Sequence, residues 1–111
     1  MKIKIQERKD ITVVLLEGNV MQEDVALFRS RLDDLVRSGR IKIVLDLNGV
    51  DFLSSMCLAV IVETKNQLLR KQGDIKIAVV NFLVKNLFDL TRLSHKFDIY
   101  ASVEEAAMEF K

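Results

Sequence analysis

The stretch KIVLDL, Lys42 to Leu47, holds four aliphatic residues in six positions with no polar and apolar alternation. Successive side chains of a strand point to opposite faces of its sheet, so a strand this apolar needs cover on both faces. Helices laid on either side of a largely parallel sheet supply such cover. An open antiparallel sheet with one wet face does not. The chain then enters DLNGVDFLSSMCLAVIV, Asp46 to Val62, where two serines interrupt an otherwise apolar passage. Residues Ser55 to Gln72 predict a helix, apolar all round in its first half and with Leu68 and Leu69 on the inner side of its second.

The flanking segments repeat this alternation of strand and helix. KIKIQ places Ile3 and Ile5 between polar residues, ERKD turns the chain, and ITVVLLEG from Ile11 to Gly18 is β-branched and aliphatic, which predicts a hairpin. From Glu23 the period changes: Val25, Phe28, Leu32, Leu35 and Val36 share one helical stripe, and Gly39 closes the segment. Gly73 ends the second helix and DIKIAVV is the next strand. LVKNLFDLTRL then carries Leu83, Leu87 and Leu90, with Phe88 as a further candidate, at helical spacing. FDIYA reads as a short last strand, and Ser102 as the N-cap of a helix with Val103, Ala106, Ala107 and Phe110 on one stripe. The order ββαβαβαβα describes one α/β domain over residues 1–111, a mixed, mostly parallel sheet whose opening hairpin forms an antiparallel edge.

Composition removes several function classes. Seventeen basic against sixteen acidic residues, with no basic block, give no electrostatic reason to expect nucleic acid or an anionic membrane as partner. A single cysteine makes no internal disulfide, and MKIKIQERKD lacks the apolar core of a signal peptide, so a cytoplasmic protein is expected. The apolar run Met56 to Val62 is far shorter than the ~20 residues a bilayer span requires. Neither GxGxxG nor GxxxxGK[ST] occurs, so no Gly-rich loop cradles a phosphate and no nucleotide cofactor is expected.

Few individual residues offer chemistry. Asp46 and Asp51 lie near the end of a strand, where a phosphoacceptor aspartate would sit, but the acidic cluster and lysine that such chemistry needs are missing, which leaves them as surface or capping carboxylates. His95 in LSHKF reads as a solvated loop residue, and one His with one Cys makes no zinc site. Cys57 lies in the first turn of the second helix, where amide dipoles can lower a thiol pKa, yet its neighbours Met56, Leu58 and Val60 favour plain packing. No catalytic constellation, metal or cofactor site emerges. Ser54 reads as an N-cap accepting an N–H from Met56 or Cys57, and Ser55 as a hydroxyl at the first helical position among loops.

At these residues the chain resembles the STAS family, the sulphate-transporter and anti-sigma-factor-antagonist domains. Members commonly show a VLDL-type strand, a short turn, and Asp-Ser-Ser-Gly-Leu-Gly opening a helix; IVLDLNGVDFLSSMCLAV takes that place here. VKNLFDLTRL, Val84 to Leu93, resembles the family's second recurrent segment. The resemblance sets Ser55 on the serine phosphorylated by anti-sigma kinases and Ser54 on the preceding aspartate. Met56 and Cys57 replace the usual Ser-Gly, Ala59 a frequent Gly, and Met21 an acidic residue found in many members. It implies a non-enzymatic antagonist, a monomer or weak homodimer, that docks on an anti-sigma factor of the serine kinase type. The implied patch is Met21, Gln22, Ser54, Ser55 and Met56, and its switch is phosphorylation of Ser55. The alternative it leaves open is a phosphorylation-independent scaffold or adaptor subunit of a signalling or transporter complex.

Overall fold

A computed structural model describes residues 1–110 of the chain. Its elements run β1 (Lys2–Glu7), β2 (Thr12–Glu17), α1 (Val25–Arg37), β3 (Lys42–Gly49), α2 (Ser55–Arg70), β4 (Asp74–Ala78), α3 (Phe82–Leu90), β5 (Ile99–Tyr100) and α4 (Val103–Met108), with 3-10 turns at Gln22–Asp24 and Leu93–His95. This is the expected ββαβαβαβα order. The five strands lie in the order β1-β2-β3-β4-β5. β1 pairs antiparallel with β2, and every later pairing is parallel.

β3 is therefore the central strand, and Ile43, Val44, Leu45 and Leu47 are fully buried. Its two faces serve two unequal cores. Ile43, Leu45 and Leu47 join Val14, Leu16, Ile75 and Ile77 beneath α1, α2 and α3. Val44 faces the other way, with Val13 and Ala78, against Val103 and Ala106 of the short α4.

Turn chemistry fixes the connections. α1 ends at Gly39, whose positive φ of 87° is the left-handed conformation glycine adopts without a Cβ penalty. After α2 the chain passes Ile41 so closely that a Cβ on Gly73 would stand 2.1 Å from the Ile41 carbonyl oxygen. Only glycine fits there. Two buried lysines are paired: Lys65 Nζ donates to Asp74 Oδ1 at 2.7 Å, and Lys76 Nζ to Asp98 Oδ2 at 2.8 Å. The Lys76 bond holds the Asp98 carboxyl below its usual range.

The structure corrects the inner face of two helices. In α2 Leu68 is buried but Leu69 is exposed. In α3 the buried residues are Val84 and Phe88, while Leu83 and Leu90 face solvent and Leu87 is half-buried. Phe88 is fixed by an edge-on contact with Phe97, ring centroids 5.9 Å apart. Six of the nine α3 residues are apolar and leave only the side of Lys85 and Asp89 polar, an apolar arc too broad for spacing alone to choose the buried pair; the Phe97 contact does.

Candidate functional site

The carboxyl ends of β2, β3 and β4 converge on one rim, the usual position of sites in open α/β sheets. Beyond β2 the chain continues in extended form, so that Val20 makes a parallel bridge with Leu53. Val20 N donates to the Phe52 carbonyl at 2.8 Å, and Ser54 N to the Val20 carbonyl at 3.0 Å. This short ladder sets Met21 and Gln22 beside the start of α2. Asp24 Oδ2 accepts the Met21 N–H at 2.9 Å and closes the turn.

Ser54 has extended backbone and its Oγ accepts the Cys57 N–H at 3.3 Å, which makes it the N-cap of α2 as expected. The same hydroxyl lies 3.3 Å from Cys57 Sγ, to which it donates. Its capacity is used locally. Ser55, at the first helical position, is exposed, and its hydroxyl has no hydrogen-bond partner among the described residues. The first turn carries no acidic side chain, so the positive end of the α2 dipole is not neutralised from within. Met21, Phe52 and Met56 are exposed around it, and Gln22 with them.

Other candidates resolve into structural roles. Cys57 is fully buried, and burial, aided by the negative charge of Asp24, pushes its thiol up. It remains a thiol at neutral pH. Asp46 is buried rather than on the surface, and its Oδ1 accepts the Asn48 N–H at 3.0 Å, a turn-capping role. Asp51 and His95 are exposed. Among the described residues no three His, Cys, Asp or Glu side chains could hold a metal ion, and no helix is long and apolar enough to cross a membrane.

Two asparagines that organise the rim escaped the sequence reading. Asn48 accepts the Val80 N–H at 2.8 Å and donates to the Ala101 carbonyl at 3.3 Å, which ties the ends of β3 and β4 to the start of α4. Asn81 caps α3 by accepting the Leu83 N–H at 2.8 Å, and its amide donates to the Val50 carbonyl at 3.2 Å. An asparagine just before a helical stripe is a recognised N-cap signal, so Asn81 was legible. Asn48 depends on contacts remote in sequence.

The STAS domain family model matches residues 2–106. A candidate anti-sigma factor antagonist, BtrV, of Bordetella bronchiseptica is 27% identical over the whole chain and 96% of its own length. The crystal structure of an anti-sigma factor antagonist from Mycobacterium paratuberculosis superimposes with a TM-score of 0.90 at 19% identity, covering 97% of this chain and 92% of that one. The Bacillus cell fate determinant SpoIIAA, solved in its phosphorylated form, gives 0.77 at 15% identity over 99% of this chain and all of its own. At these identities the two structures speak for the fold alone.

Proposed function

The chain belongs to the STAS domain family, and from that premise we propose that it is an anti-sigma-factor antagonist switched by phosphorylation of Ser55. Antagonists in this family are regulatory binding proteins, not enzymes. The observation that carries the reading is the division of labour between the two serines. Ser54 is committed to the Cys57 N–H, and Ser55 offers an unbonded, exposed hydroxyl at the start of α2.

The surroundings suit a docking patch. Met21, Phe52 and Met56 expose apolar surface around that hydroxyl, and a serine kinase acting as anti-sigma factor is the partner the reading calls for. A phosphate on Ser55 is compatible with the fold, because N–H groups and the helix dipole favour an anion there. The partner meets the opposite effect: about two negative charges on the patch must be desolvated against its surface. Binding is lost and the domain stays folded.

Titration of wild type, Ser55→Ala and Ser55→Asp against the anti-sigma factor of the same cell, by calorimetry, tests this. Ser55→Ala should bind like wild type, Ser55→Asp at least about tenfold more weakly, and ATP with the partner should phosphorylate wild type alone. Equal affinity for all three, with no phosphate transferred, would replace the switch with the scaffold or adaptor reading, which the substitution of Met56 and Cys57 for Ser-Gly favours.

A further inference from the structure

We propose that the outward face of α3 is a weak homodimer contact, formed by antiparallel two-fold pairing with a second copy of this chain. Phe82, Leu83 and Leu90 are 75%, 66% and 73% exposed, the three largest exposures among the chain's big apolar side chains. Helical periodicity puts them with half-buried Asn86 on one strip, opposite Val84 and Phe88, which face the core. Exposed Val80 extends the strip just ahead of the helix. Contiguous apolar surface of this kind marks an interaction face.

Charge selects the occupant. Lys85 and Asp89 lie one turn apart along a single border of the strip, both exposed. Neither makes an ion pair among the described residues, with each other or with any other group. In a two-fold antiparallel pair the first half of one helix faces the second half of its copy, and both charged borders fall on the same side. Lys85 of one protomer then meets Asp89 of the partner subunit, and the pair occurs twice. A parallel two-fold pairing would put the two charged borders on opposite sides of the contact, where Lys85 and Asp89 meet no counter-charge. Asn86 falls near the axis, where two carboxamides can donate to and accept from each other.

The face is small. Nine residues at a rise of 1.5 Å span about 13 Å, so the dimer is transient and concentration-dependent rather than obligate. The inference rests on α3 alone and requires no phosphate at Ser55, so it stands or falls apart from the switch.

Sedimentation equilibrium of the full chain over a concentration series is the test. Wild type should show a concentration-dependent dimer. Lys85→Glu and Asp89→Lys should each weaken it by about tenfold or more, because every symmetric pair becomes repulsive. An equimolar mixture of these two variants should form a heterodimer tighter than either forms alone, since all its cross-pairs are attractive. Leu90→Ser should leave a monomer with an unchanged melting curve. A wild type that stays monomeric up to about 1 mM, or a dimer indifferent to both charge reversals and to mixing, overturns the proposal. In the first case the face belongs to another protein.

Discussion

α2 and α3 start on the same rim, each behind a polar cap whose side chain accepts a backbone N–H, yet they use their apolar residues in opposite ways. α2 buries Cys57, Leu58, Val60, Ile61 and Leu68, and even Thr64 and Lys65, between α1 and the sheet. α3 buries only Val84 and Phe88 and turns Phe82, Leu83 and Leu90 to solvent, although its mean composition is the more apolar. The contrast teaches that apolar content measures what a helix could bury, and position in the layer decides what it does bury. α2 is packed between α1 and β4. α3 packs chiefly on the Leu93–His95 turn that follows it, held by Phe97 and its asparagine cap, with one face left over.

The sharpest way to break this comparison is to truncate one aliphatic side chain on α2. Ile61 is fully buried in the large core, so Ile61→Ala should cost about 2–5 kcal/mol through lost burial and a residual cavity. Urea unfolding with an unchanged m-value would measure it. A loss under about 0.5 kcal/mol would place Ile61 with ordinary surface positions and remove the distinction between the helices.

The two caps offer a finer comparison. Ser54→Ala removes one hydroxyl that accepts the Cys57 N–H, and should cost about 1 kcal/mol. Asn81→Ala removes the Leu83 cap and also the bond to the Val50 carbonyl, and should cost about 2 kcal/mol, one net hydrogen bond more. Because Val50 lies in the loop before Ser54, the Asn81 change should also loosen the start of α2, visible as faster amide exchange there. If Ser54→Ala were the costlier of the two, the rim would be organised from α2 rather than from the bridging asparagines.

How much of this was legible in the sequence follows the same line. The element order and the central position of β3 could be read because Ile43, Val44, Leu45 and Leu47 leave no wet face for that strand. Ser54 could be read as a cap because capping is local, involving residues three apart. The buried pair of α3 could not: with leucines, valine and phenylalanines on every side but that of Lys85 and Asp89, the choice among them is decided by Phe97, nine residues beyond Phe88 in sequence. Leu69 was misread for a related reason, since adjacent leucines at 68 and 69 cannot both face inward on a helix end whose remaining neighbours are polar. Asn48 was invisible because its partners, Val80 and Ala101, are brought to it only by the parallel crossovers.

The smallest expected effect closes the comparison. Phe82 stands at the first position of α3, 75% exposed, so its ring gains little from folding and its removal opens no cavity. Serine at that position loses slight helix propensity relative to better helix formers but sits in the first turn, where its hydroxyl can meet a free N–H. Phe82→Ser should therefore change the unfolding free energy by less than about 0.5 kcal/mol, the range of ordinary surface substitutions. Phe88→Ser, on the same helix, should unfold the protein at far lower urea. Measured at a protein concentration low enough to keep the chain monomeric, an equal and large loss for both rings would mean that Phe82 is buried in the folded monomer. The exposed strip of α3 would then be core, and the contrast with α2, together with the dimer contact built on it, would disappear.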